Sequence, residues 1–304
     1  MTSLEEKLGR YAKPSSNNEK EKQDRAERMV RNAVKQWANE QKVSVSYLPK
    51  GSYANNTNVR LDSDVDIAVI HKGFHYLDDS ALRPEHRHSE RSATSNYLKG
   101  TEFRRSLGTS LEARFGKACD NSGKTAIELA ENTGRVKTDI VPSFAFRKYE
   151  YNLFGMVAYH EGTKVFRLDG TAVIDYPEQQ LVNGRKKNAA TGGRYKRLVR
   201  ILKRTENDLS EAKEINPLPS YFMECLMYIV PNDRFGHISF NPLTLDLVHA
   251  ASYILGRVKA YSDTSKLREP NGIKSLFGEG QPWSVKDARM LIEATLDRYG
   301  LVRK

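Results

Sequence analysis

Apolar and polar positions follow two different periods along this chain, and the change from one to the other divides it. From Ala26, the residues Met29, Val30, Ala33, Val34 and Trp37 recur at helical spacing. They predict a helix of about 20 residues, entered from the polar run 13–24 with Ser16 and Asn17 as N-cap candidates. Val43 to Leu48 and Asp64 to Ile70 alternate instead with period two and are rich in β-branched residues, so both read as strands. Residues 71–100 keep neither period and read as a surface loop, followed by a helix over about 101–118. Val165 to Tyr176 holds Asp169-Gly170 between two short apolar runs and predicts a hairpin in the same sheet. Helical spacing then dominates, punctuated by Pro177, Pro217, Pro219, Pro231, Pro242 and Pro282. The fold class expected is α+β. Residues 1–180 hold the N-terminal helix and a mixed sheet with helices, and residues 181–304 form a helical lobe.

The second strand carries the chemistry. Side chains on a strand repeat every two residues, so Asp64 and Asp66 share one face while Val65 and Ile67 point to the other. Two neighbouring carboxylates repel unless a cation sits between them, and hard oxygen ligands suit Mg²⁺. Gly51-Ser52, separated from Asp64 by eleven intervening residues, follows the first strand as a turn whose backbone N–H groups can approach a phosphate, with a hydroxyl beside them. Asp139, between apolar neighbours in RVKTDIVPSF, is the candidate third carboxylate, since a charge there needs a partner. Two Mg²⁺ ions, with Mn²⁺ as the alternative, held by Asp64, Asp66 and Asp139 would activate a hydroxyl and neutralise a leaving pyrophosphate. The pattern therefore points to nucleotidyl transfer. The competing reading is a solvated strand edge of Asp62, Asp64 and Asp66, with Asp139 capping a turn before Pro142.

Composition changes this picture little. In 304 residues, 49 Lys and Arg against 38 Asp and Glu give +11, which favours anionic partners without choosing between nucleotide and nucleic acid. Cys119 and Cys225, read as lying in separate helices or turns, make neither a disulfide framework nor a cysteine zinc site. His86 and His88 lack metal-ligand spacing and read as surface residues. A polar start and the lack of a long apolar run point to the cytoplasm.

The segments GSYANNTNVRLDSDVDIAVI (51–70), TDIVPSF (138–144), GGRYKRLVRILKR (192–204) and PSYFMECLMYIVP (219–231) resemble the cGAS/DncV-like nucleotidyltransferases of the polymerase-β superfamily. The resemblance spans about residues 40–260. It implies a polymerase-β-like catalytic core whose nucleotide cleft is completed by the helical lobe. Lys196 then matches a position that contacts nucleotide phosphates, Ser220 one that touches phosphate, and Tyr221 one that stacks on the donor base. Asn183 lies where related bacterial enzymes carry residues that read a base edge, and its amide could favour uracil. Each has a plainer alternative. The stripe Lys196, Arg200, Lys203 can be a solvated face, as read for Arg197 and Arg204. Tyr221 can join Phe222 and Leu226 in a core, and Asn183-Gly184 can be a turn. No His/Cys cluster matches the zinc-binding thumb of the animal DNA sensors in the family, so activation by long double-stranded DNA is not expected.

The expected function is synthesis of a cyclic di- or oligonucleotide second messenger from nucleoside triphosphates, ATP and UTP among them, by a monomer. The resemblance implies antiviral signalling to a separate effector protein. Two alternatives stand beside it. One is an enzyme that makes linear oligonucleotides or extends RNA ends; the other is a catalytically idle nucleic-acid-binding module.

Overall fold

The computed structural model describes residues 3–59, 64–87, 98–236, 242–259 and 264–301. Helices α1 (Leu4–Tyr11) and α2 (Asn17–Gln41) each start on a capping box, Ser3 with Glu6 and Ser16 with Glu19, in which each partner satisfies a free N–H of the other. Strand β1 (Val45–Lys50) runs directly into a one-turn helix, α3 (Gly51–Asn55). The Gly-Ser element is thus the first turn of a short helix, where a simple bend was expected.

Strand β2 spans Val65–Asp78, so residues 71–78, read from sequence as loop, continue the strand. The reason lies in a distant partner. A fourteen-residue strand, β5 (Thr138–Tyr151), lies parallel to β2 and takes up its backbone groups as far as Asp78↔Lys148, past a register irregularity between His71 and His75. Helix α4 (Thr101–Phe115) then leads to the short strands β3 (Cys119–Asp120) and β4 (Ile127–Leu129), which places Cys119 on a strand. Strands β6 (Val157–Phe166) and β7 (Ala172–Asp175) form the expected hairpin, with Gly170 at φ +87° in its turn. Among the described residues the sheet order is β1-β2-β5-β4-β3, with β6 paired to β5 and β7 to β6.

Two compact units emerge. The sheet unit comprises residues 16–54 and the described part of 63–177. Its core shows the alternation of β2 directly: Val65, Ile67 and Val69 pack with Val34 and Trp37 of α2, with Phe103 and Leu107 of α4, and with Ile140 and Phe144 of β5. Their burial against both helices turns Asp66 to the opposite face.

The helical unit comprises the described residues of 3–15 and 55–59 together with those from Glu178 onward. It contains α5 (Pro177–Ala190) from its second residue, α6 (Arg194–Glu211), α7 (Ser220–Ile229), α8 (Leu243–Lys259) and α9 (Val285–Arg298). The 180/181 division read from sequence falls inside α5. The core gathers Leu8, Tyr195, Leu198, Val199, Leu202, Phe222, Leu226, Leu247, Ile254 and Leu291. Asn183-Gly184, a turn signal in sequence, lies within α5. Gly184 is there because Asn55 packs against its Cα, and a Cβ would meet the Asn55 amide at 3.0 Å. No helix among the described residues is long and apolar enough to cross a membrane.

Candidate active site

Four strands carry one row of charge. Register pairs Lys50 with Asp66, Asp66 with Asp139 and Asp139 with Glu128, and side chains of registered residues leave the sheet on the same side. Asp64 immediately precedes β2 and lies two residues from Asp66, which puts it on that side too. The structure brings Asp66 and Asp139 together as the sequence suggested. Asp62 lies outside the described residues. The remainder of the strand-edge reading gives way, because Asp66 and Asp139 sit inside paired strands and are half-buried.

Gly51 is fixed by what it touches. Its φ is +64°, and a Cβ built on it would run into Oδ2 of Asp66, so both the backbone conformation and the close approach require glycine. Ser52 follows in α3, half-buried.

Burial raises the pKa of Asp139 above its ordinary value; Lys137 opposes this and Glu128 adds to it. Oδ1 of Asp139 is buried and has no hydrogen-bond partner among the described residues, as an oxygen awaiting a cation would be. An all-carboxylate set of this kind fits Mg²⁺ or Mn²⁺. Among the described residues no three His, Cys, Asp or Glu side chains are gathered closely enough to hold a metal ion, so the pair Asp66–Asp139 is what the structure places together. Two lysines flank them, each held by an outer carboxylate: Lys50 pairs with Asp175 at 2.8 Å, and Lys137 with Glu128 at 2.7 Å. Sequence reading missed all four of these residues. The one available signal was the two-residue spacing from Lys137 to Asp139; the pairings themselves join strands far apart in the chain.

In the helical unit the predicted residues are placed as follows. Lys196, in the first turn of α6, is 8% exposed, and burial lowers its pKa. Among the described residues its Nζ makes no hydrogen bond, while its backbone N–H donates to Oδ1 of Asn188 at 3.1 Å. The rest of the basic stripe is buried as well, so the solvated-face reading fails there. The Arg200 guanidinium donates to the carbonyls of Ala12 and Asn56, and Lys203 pairs with Glu224 at 2.9 Å. Arg197 is exposed as expected, whereas Arg204 is half-buried and donates to the Arg10 carbonyl.

Glu224 is fully buried. Burial alone would raise its pKa, but Lys203 and the hydrogen bonds from Thr57, Lys203 and Asn55 hold it below the ordinary value. This network was invisible in sequence, because Asn55 and Thr57 lie about 170 residues from Glu224. Ser220 opens α7 and is exposed. Tyr221 is half-buried, its hydroxyl donating to Glu269 at 3.1 Å and its ring edge-on to Trp283. Asn183 is half-buried and donates from Nδ2 to the Pro270 carbonyl at 2.9 Å. His86 is exposed beside Tyr151, and His88 lies outside the described residues.

Residues 182–300 match the cGAS/DncV-like nucleotidyltransferase C-terminal helical domain family. The chain is 35% identical over 285 residues to a cyclic dipyrimidine nucleotide synthase of Legionella pneumophila, covering 92% of each protein. A second synthase of that name, from Cecembia lonarensis, is 30% identical and covers 93% of this chain and 94% of its own. The structure of the Elizabethkingia meningoseptica cyclic dinucleotide synthase with GTP and Apcpp superposes with a TM-score of 0.79 at 29% identity, over 98% of this chain and 100% of that one. The Rhodothermus marinus c-UMP-AMP synthase with Apcpp and Upnpp gives the same score at 26% identity, over 100% of this chain and 99% of that one. Likeness of this extent, over both the sheet and the helices, makes the chain a nucleotidyltransferase belonging to the cGAS/DncV-like family.

Proposed function

We propose that this enzyme joins nucleoside triphosphates at Asp64, Asp66 and Asp139 into a cyclic dinucleotide, using two Mg²⁺ ions. The observation that carries the reading is the registered pair Asp66–Asp139, with a buried oxygen on Asp139 that has no hydrogen-bond partner among the described residues and Gly51 pressed against Asp66. When bound, the ions would make the acceptor hydroxyl easier to deprotonate and would offset the charge of the departing pyrophosphate. Asp66 and Asp139 would hold the ions, and their register across paired strands fixes the spacing of the two residues, so little reorganisation would be needed as the reaction proceeds. The acceptor hydroxyl would lose its proton near Asp139. The acceptor oxygen forms a bond to the donor α-phosphorus while the bond to pyrophosphate breaks; a second such exchange closes the ring. Gly51 and Ser52 offer backbone N–H groups and a hydroxyl to the donor triphosphate.

In the helical unit, Lys196 supplies a desolvated ammonium with no hydrogen bond among the described residues, a state that favours an anionic ligand. Ser220 supplies N–H and hydroxyl donors at the start of α7, and Tyr221 a ring anchored through its hydroxyl. Asn183, with one amide hydrogen on Pro270, still offers its carbonyl and a second N–H to a base edge. UTP is the substrate this reading favours, since two relatives carry the name cyclic dipyrimidine nucleotide synthase and another that of a cyclic UMP-AMP synthase. ATP is the second triphosphate expected. The product would act in the bacterial cytoplasm as an antiviral second messenger, made by a monomer and read by a separate effector protein.

The test is to incubate the purified protein with ATP, GTP, CTP, UTP and Mg²⁺, treat the products with phosphatase and measure intact masses. A resistant product of cyclic dinucleotide mass containing uridine supports the proposal. Phosphatase-sensitive ladders would instead support linear synthesis, and retention of RNA without pyrophosphate release would support an idle binding module.

A further inference from the structure

The acidic face already holds one cation of its own. Lys137 lies two residues before Asp139 and therefore on the same side of β5. Its carbonyl accepts from Val65 N at 3.1 Å, which sets it next to Asp64 across the parallel pair. Glu128 is registered opposite Asp139 on the other flank, and its carboxylate takes the Lys137 ammonium at 2.7 Å. The ammonium thus stands among three acids. The charges of Asp139 and Asp64 act on the ammonium beside that of Glu128.

We propose that Lys137, tethered by Glu128, is a resident counter-cation that holds bare divalent ions off the acidic face until a triphosphate brings them. This inference rests on the metal-site reading of Asp64, Asp66 and Asp139. A fixed positive charge opposes a divalent ion at the same carboxylates. A bound triphosphate adds several negative charges, which restore the balance in the ion's favour. Glu128 keeps the ammonium to one side, beyond the hydrogen-bond reach of Asp139 Oδ1, which has no hydrogen-bond partner among the described residues. Lys137 is therefore a positioning residue: it acts on ion loading and not on the reacting atoms. The geometry also assigns Glu128 a role that works through Lys137. Freed from Glu128, the ammonium would lean onto the aspartates and compete more strongly.

The test measures binding of Mn²⁺ to the full chain, by the paramagnetic resonance signal of the free ion, with and without a non-hydrolysable UTP analogue. Lys137 is partly exposed, so Lys137→Met is compatible with the fold, and melting curves check this. Without nucleotide, Lys137→Met is expected to tighten Mn²⁺ binding about fivefold to tenfold, roughly one partly solvated charge contact. With the analogue present, the gain should shrink to less than about twofold. Glu128→Gln should weaken Mn²⁺ binding in the wild-type background, and much less so when combined with Lys137→Met. Unchanged affinity in Lys137→Met, in a protein whose Mn²⁺ binding is lost in Asp139→Asn, would overturn the counter-cation role while leaving the metal site standing. Mn²⁺ binding indifferent to Asp139→Asn would overturn the metal site, and the counter-cation role with it.

Discussion

Asp66 and Asp139 are Cα partners across the parallel β2–β5 pair, so their carboxylates leave one face of the sheet a single strand spacing apart, about 4.8 Å. Like charges at that distance weaken the empty site and strengthen the loaded one. Asp66→Asn and Asp64→Asn are each expected to lower turnover by about a thousandfold while leaving the melting temperature within a few degrees. Pyrophosphate release measured beside thermal melting checks this. Near-normal turnover in either variant would remove that residue from the metal set.

Gly51→Ala adds a methyl group where Asp66 Oδ2 already lies, at a backbone φ of +64°. The strain costs about 1 kcal/mol, and the displaced carboxylate should lower kcat/KM by about a hundredfold. Serine at this position should be no better, because the clash arises at the Cβ. Steady-state kinetics together with chemical denaturation separate the two effects.

The buried pair Lys203–Glu224 makes a prediction about stability. Removing one partner, as in Lys203→Ala or Glu224→Ala, leaves an uncompensated charge and should cost about 3–5 kcal/mol. The double variant Lys203→Met/Glu224→Met should recover most of that. The pH dependence has a fixed sign. The folded pKa of Glu224 lies below its ordinary 4.5, so its contribution is present above pH 4.5 and is lost as pH falls through the folded value. Denaturation midpoints of wild type and Glu224→Gln should therefore converge on acidification below pH 4.5.

Asn183 separates two roles. If its amide reads a base, Asn183→Ala should lower the share of uridine in the product by about tenfold, and the loss of the Pro270 hydrogen bond should cost about 1 kcal/mol. A stability loss with unchanged product composition would assign it to packing alone.

Much of the catalytic sheet was legible because its signals are local. Asp64 and Asp66 flank Val65 in a β-branched run, and Val65, Ile67 and Val69 do face the core as period two requires. In α6, Tyr195, Leu198, Val199 and Leu202 keep helical spacing in the sequence, and all four are fully buried. What escaped depends on partners distant in the chain. Residues 71–78 carry no strand pattern of their own and are extended because β5 runs alongside them. Asn183-Gly184 has strong local turn chemistry, but α5 overrides it where Asn55 demands a neighbour without a side chain. Lys196, Arg200 and Lys203 look like a wet face until Glu224 and the carbonyls of Ala12 and Asn56 are seen to receive two of them. The flanking pairs Lys50–Asp175 and Lys137–Glu128 join different strands, and spacing alone could not have paired them.

The most direct measurement is pyrophosphate release from UTP and ATP in Mg²⁺ by wild type and Asp139→Asn, with product mass recorded in the same samples. The account predicts two pyrophosphates per cyclic dinucleotide from wild type and none above background from the variant, which should fold and melt normally. Cyclic product formed by Asp139→Asn at a rate near that of wild type would contradict it.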